Sequence, residues 1–152
     1  MSVQNGDQAP DFELTDQHGQ KVRLSDFRGK QDVVLVFYPY AFSGICTSEL
    51  CELRDNLDAF TGHGVQVIGI SCDPMYTLRA YAEAQGYAFP LLSDFWPHGE
   101  VGQAYGVFEE KAGRSVRGSF LVDKDGVVRW NVVNKPTEAR PLAAYKEAIA
   151  AL

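Results

Sequence analysis

The chain has 152 residues, 45% of them apolar and 22% charged, which suits one soluble globular domain spanning 1–152 around one core. The formal charge of −6, with Lys and Arg scattered singly, argues against nucleic acid or an anionic membrane as a partner. The start, MSVQNGDQAP, lacks a basic and apolar leader, and no apolar run nears the roughly 20 residues of a membrane helix, so a cytoplasmic location is expected.

The first third opens with two extended pieces, DFELTD and KVRLSD, around a turn at Gln17-His18-Gly19, which reads as a hairpin. VVLVFYP follows, with no polar alternation, as expected of a strand buried on both faces. A helix is predicted over 44–61, closed by Gly62 and Gly64. VQVIGIS reads as a second buried strand, 77–85 as a helix stopped by Gly86, FPLLSD as a short extended piece, and 99–105 as a short helix. SVRGSFLVD and VVRWNVV flank Asp125-Gly126 as a hairpin, and the Ala-rich stretch 138–152 closes the chain as a helix. This order implies an α/β fold with a mixed sheet and helices on both faces. Function in such sheets gathers at the carboxyl ends of central strands, and PYAFSGIC sits at one such end.

There are three cysteines, Cys46, Cys51 and Cys72. An odd, small number without a secretion signal points to free or redox-active thiols. Cys46 falls in the first turn of its helix, where unpaired N–H groups and the helix dipole favour a thiolate. Pro39 cannot continue the strand ladder and turns the chain out of the sheet. Ser43 lies three residues before Cys46, close enough for its hydroxyl to approach the sulfur and a bound oxygen. At about 100° per residue, Cys46 shares a face with Leu50, Leu53, Leu57 and Phe60. Cys51 is turned away by about 140°, among Thr47, Arg54 and Asp58 on a wetter face. Cys72, just after VQVIGIS, reads as a core cysteine.

A thiol alone does not select a reaction. A cysteine hydrolase needs a histidine base, and His18, His63 and His98 are all remote from Cys46 in sequence. The Cys-x-x-Cys of a thioredoxin-like reductase is absent, as are paired ligands at zinc spacing, and no cofactor is expected. A lone thiolate beside a hydroxyl suits attack on a peroxide, leaving a sulfenic acid.

These residues resemble a known family. PYAFSGIC is similar to the peroxiredoxin motif Pro-x-x-x-Thr/Ser-x-x-Cys, with Pro39, Ser43 and Cys46 in place, and Glu49 also suits the pattern. Arg117 in SVRGSFLVD matches the arginine that peroxiredoxins place over the reactive sulfur. FPLLSDFWPHGEVGQAYGVFEE and VLVFYPYAFSGIC resemble the AhpE-type branch (alkyl hydroperoxide reductase E-like). The resemblance implies a thioredoxin-like fold with an N-terminal hairpin and a homodimer. It also implies reduction of hydrogen peroxide and organic hydroperoxides, with peroxynitrite as a further substrate. By the same resemblance Cys46 attacks the peroxide, Ser43 hydrogen-bonds it, Arg117 steadies the thiolate and developing charge, Glu49 orients Arg117, and Pro39 shapes the pocket. Trp96, Pro97 and His98 read as a loop near the site or a dimer contact.

The chain departs from a one-cysteine AhpE pattern at Cys51, whose Cys-x4-Cys spacing resembles the bacterioferritin-comigratory (PrxQ-like) peroxiredoxins. There the second cysteine resolves the sulfenic acid as an intramolecular disulfide. Residues five apart in a helix are separated by about 7.5 Å of rise, beyond the roughly 7 Å a disulfide tolerates between Cα atoms. Local unwinding of the first turns of the helix is therefore expected after oxidation, so that Cys46 and Cys51 can join. Two alternatives stand beside this cycle: one-cysteine turnover with an external thiol (mycothiol with mycoredoxin, or thioredoxin), and a non-enzymatic peroxide sensor read by a partner.

Overall fold

The structure is a computed structural model and describes residues 2–152. The N-terminal hairpin pairs β1 (Glu13–Thr15) with β2 (Lys21–Arg23), Leu14 opposite Val22. β3 (Asp32–Phe37) runs parallel to β4 (Val65–Ser71), and β4 parallel to β5 (Leu91–Ser93). The last hairpin, β8 (Arg117–Val122) and β9 (Val128–Asn134), lies antiparallel on the other side of β3. The seven strands run β2-β1-β5-β4-β3-β8-β9. A separate two-stranded ribbon, β6 (Phe108–Glu109) with β7 (Arg114–Ser115), was not expected, because each strand has only two residues and carries no periodicity.

The unbroken apolar run of β3 is explained by two cores. Val34, Val36 and Tyr38 enter one, while Val33, Leu35 and Phe37 enter the other. The first core is covered by α1 (Gly44–Asp55), α2 (Asp58–Thr61), α3 (Met75–Gln85) and α5 (Leu142–Ala150). The second is covered by α4 (Glu100–Tyr105), the N-terminal segment and a 3-10 turn, Leu24–Phe27. Because β3, β4 and β5 advance in one direction, right-handed crossovers land α1 and α3 on the same face. A Cβ at Gly69 would stand 2.8 Å from a Leu91 methyl and 3.3 Å from the Tyr38 ring, so the glycine leaves room for that ring against β4.

Three helix boundaries differ from expectation. The 44–61 helix divides: Asn56 takes φ −122°, ψ 24°, and its side-chain amide donates to the Glu52 carbonyl at 2.8 Å. An asparagine that binds backbone in this way competes with the helix and ends it. Leu57 and Phe60 therefore stand outside α1. The helix predicted over 77–85 starts two residues earlier, at Met75 after Pro74, and ends as expected at Gly86, whose φ is 70°. The closing helix starts at Leu142, after Pro141, because proline fits a helix mouth and not its interior. Among the described residues no helix is long and apolar enough to cross a membrane.

Candidate active site

β3 carries the chain to the site. Tyr38 is still fully buried, and Pro39 then takes the backbone out of the ladder. The turn that follows is held open by Asp73, which accepts the Ala41 N–H at 2.8 Å and the Ser71 hydroxyl at 2.7 Å. Phe42 adopts φ 69°, a left-handed conformation that is uncommon and costly for a side chain of this size.

Ser43 is the N-cap residue of α1, yet its side chain makes no capping bond. Its hydroxyl oxygen is buried without a partner. A capping serine would take the N–H of the second or third helical residue, here Ile45 or Cys46. Those amides keep their donors free at the positive end of the helix. The sequence thus builds a helix mouth ready for an oxygen-bearing ligand.

Cys46 is fully buried in the first core. Arg117, the first residue of β8, places Nη1 3.2 Å from its sulfur. The same nitrogen donates to Glu49 Oε1 at 2.6 Å, and Arg117 Nε donates to the Pro136 carbonyl at 2.7 Å. β8 is an interior strand, between β3 and β9, so Arg117 is no surface cation. A fixed positive charge therefore stands in direct contact with the sulfur.

Arg140 is the residue that sequence reading missed. It donates to Glu49 through its backbone N–H (2.6 Å), Nε (3.0 Å) and Nη2 (2.9 Å). Its Nη1 reaches the Phe37 carbonyl (2.7 Å), the Gly118 carbonyl (3.0 Å) and the Ser119 hydroxyl (3.0 Å). One side chain therefore ties α1, β3 and β8 behind the thiol. It stands in an irregular stretch where no pattern marks it. Burial pushes the Glu49 carboxyl up, but the hydrogen bonds and charge of Arg140, then the charge of Arg117, outweigh this and hold it below its ordinary value.

A cavity of about 280 Å³ opens at the helix mouth, lined by Pro39, Tyr40, Ser43, Ile45, Arg114 and Arg117 among others. A small molecule entering it meets the Ser43 hydroxyl and the Arg117 guanidinium before the sulfur. Arg114 also lies over the Tyr40 ring and pairs with Glu109 at 3.1 Å. Trp96, Pro97 and His98 do not line this cavity. Trp96 is 80% exposed, and His98 Nε2 lies 2.7 Å from the Gly113 carbonyl, next to Arg114. Among the described residues no histidine hydrogen-bonds Cys46.

Cys51 is partly buried, and its face is drier than expected because α3 lies against it. Its sulfur is 3.5 Å from Gln85 Oε1 and 3.6 Å from the Tyr87 hydroxyl. On the same side Thr47 and Tyr81 share a hydrogen bond of 3.0 Å, and Arg54 Nη1 donates to the Gln85 carbonyl at 2.6 Å. All three cysteines are free, and α1 is unbroken between Cys46 and Cys51. Cys72 is a core thiol: burial, then the charges of Asp94 and Asp73, push it up to about 12.

A thioredoxin-like sheet that presents a buried thiol at an uncapped helix mouth, under a guanidinium, defines a thiol-dependent peroxidase of the peroxiredoxin class. The model of the AhpC/TSA family matches residues 5–131, and the chain belongs to that family. It is 48% identical over 147 residues to alkyl hydroperoxide reductase E of Mycobacterium tuberculosis, covering 97% of this chain and 96% of that one. It is 43% identical over 129 residues to peroxiredoxin Bcp of Escherichia coli, covering 81% of each. Among solved structures, peroxidoxin BcpB from Mycobacterium tuberculosis superposes with a TM-score of 0.85 at 33% identity, covering 97% of this chain and 95% of that one. The AhpC of Enterococcus faecalis superposes with a TM-score of 0.90 at 26% identity, covering 99% and 92%. The enzymatic reading thus stands over that of a non-enzymatic sensor.

Proposed function

We propose that Cys46 is the peroxidatic nucleophile and that Cys51 resolves it. The observation that carries the first assignment is Arg117 Nη1 at 3.2 Å from the Cys46 sulfur. The thiolate attacks one peroxide oxygen. The S–O bond forms as the O–O bond breaks, two electrons pass from sulfur to the peroxide, and the departing oxygen takes a proton to leave as water or an alcohol. Ser43 and the free amides of Ile45 and Cys46 hold the oxygens, and Arg117 steadies the charge that develops. Glu49 orients Arg117, and Pro39 shapes the entrance. In the second step the Cys51 thiolate attacks the sulfenic sulfur, the S–S bond forms, and hydroxide leaves as water.

The largely apolar cavity walls support hydrogen peroxide and small organic hydroperoxides as substrates, with peroxynitrite as a further one. An external thiol system, mycothiol with mycoredoxin or thioredoxin, then reduces the disulfide. The chain works as one domain in the cytoplasm. It pairs as a homodimer, a reading supported by the exposed Tyr40, Phe42 and Ile45 beside the site and tested by sedimentation at two concentrations.

Intact mass after one equivalent of hydrogen peroxide tests the cycle. A loss of about two mass units marks the disulfide. A gain of about sixteen marks a lasting sulfenic acid and one-cysteine turnover by the external thiol. No rapid change overturns the assignment of Cys46.

A further inference from the structure

Arg114 is a second guanidinium on the wall of the active-site cavity, and the chemistry at sulfur gives it no task. The two arginines differ in how far their donors are already committed. Arg117 is buried, gives Nη1 to Cys46 and Glu49, and gives Nε to the Pro136 carbonyl. Of the five N–H donors of an arginine, Arg114 engages only Nη1 among the described residues, with Glu109 Oε2 at 3.1 Å. The Arg114 side chain is 17% exposed and that of Glu109 is 43% exposed. An ion pair with one partner so far in water holds weakly. The Arg114 guanidinium also lies 5.8 Å from the centre of the Tyr40 ring, a second residue of the cavity wall.

The backbone under Arg114 is fixed. Arg114 stands opposite Glu109 in the β6–β7 ribbon. The Gly113 N–H donates to the Glu109 carbonyl at 2.9 Å, and the Val116 N–H donates to the Val107 carbonyl at 2.8 Å. His98 Nε2 closes on the Gly113 carbonyl at 2.7 Å. Donors left free on a fixed backbone are set in advance for a ligand. The wall between them and the thiol is uncharged, with Pro39, Tyr40, Ile45 and Pro136. The chain carries a net charge of −6, so an anion approaching elsewhere is repelled. At this cavity it meets Arg114.

We propose that Arg114 is a specificity residue that selects hydroperoxides bearing a carboxylate on a short arm. The peroxide oxygens lie at Ser43 and Arg117, and the carboxylate lies at Arg114. Three residues of chain span at most about 10 Å between the Cα atoms of Arg114 and Arg117, so the arm is a few carbons long and not a long acyl chain. The inference deepens the proposed function and rests on Cys46 as the nucleophile. The bonds made and broken at sulfur are those given above.

The test uses the reduced full chain without any external thiol, so that only the attack on the peroxide is timed, by rapid-quench intact mass. Two substrates are compared: tert-butyl hydroperoxide extended by a two-carbon arm ending in a carboxylate, and the same molecule ending in the primary amide. In the wild type the carboxylate should react about tenfold faster, as expected for one hydrogen bond between charged partners. Added salt should shrink this ratio. Arg114→Met should bring the ratio near one, and Arg114→Lys should restore most of it. Glu109→Gln, which removes the competing carboxylate, should raise it. A merely structural role would slow both substrates and keep their ratio. A wild-type ratio near one, or a ratio that Arg114→Met leaves unchanged, overturns the inference while Cys46 keeps its role. A folded wild type that neither substrate oxidises brings down the assignment of Cys46 itself.

Discussion

On the proposed function, Ser43 is a residue spared from stability and kept for chemistry. It occupies an N-cap position, where its hydroxyl would ordinarily bond a backbone amide, and it makes no such bond. Replacing a working N-cap serine with alanine costs about 1 kcal/mol. Ser43→Ala should therefore leave the denaturation midpoint near that of the wild type, because a buried hydroxyl without a partner contributes nothing when removed. The same substitution should lower kcat/KM for peroxide by about 10- to 100-fold, since one donor to the reacting oxygens is lost. Steady-state kinetics beside urea denaturation separates the two effects. A loss of stability with unchanged kinetics would return Ser43 to the ordinary role of a cap.

Between elements, the decisive join is the one Arg140 makes. Its guanidinium and backbone amide bind Glu49 of α1, the Phe37 carbonyl of β3, and Gly118 and Ser119 of β8 at one point. Lysine carries the charge but not the planar fork, so it cannot serve Glu49 and two carbonyls at once. Arg140→Lys should cost about 3 kcal/mol of stability by urea denaturation, consistent with breaking part of a buried charged network. It should also lower peroxidase activity, because Glu49 would no longer be held where it aims Arg117 at Cys46. The elements themselves were largely legible beforehand. β3, β4, the β8–β9 hairpin and Gly86 as a stop follow from runs and turn residues a few positions apart. The break at Asn56 escaped, because a side chain bonding backbone leaves no trace in apolar periodicity. α5 starts later than its Ala-rich composition suggests, because Pro141 sets the helix mouth.

For the molecule as a whole, the buried carboxylates set how stability responds to acid. The folded value of Glu49 lies below its unfolded value of 4.5. A depressed carboxyl contributes stability that is fully present above the unfolded value and is lost as the pH falls through the folded one. Asp94 runs the other way. Burial raises it despite the amides of Gly102 and Val101, so its share is lost as the pH rises through its folded value. Below about pH 4.5 the wild type should therefore lose stability with a slope that Glu49→Gln, already weakened at neutral pH, does not share in full. Midpoints of urea denaturation at several pH values check this. Identical slopes in the two proteins would mean that Glu49 is not held as a carboxylate in the fold.

The place of Cys46 at a helix mouth and most of the order of elements could be read from residues close together in the chain. A proline that ends a strand, a serine three positions before a thiol, and a helix mouth are all local, and local geometry depends on neighbours. The pairing of that thiol with Arg117, 71 positions away, was suggested by family resemblance and given its distance only by the folded chain. Arg140 joins Phe37 across 103 positions, and Cys51 meets Tyr87 across 36. Such contacts have no period and no spacing rule. They exist because crossovers stack α1 and α3 on one face of the sheet and bring the stretch before α5 back behind β3, and that packing decides which charges are buried and what surrounds the second thiol.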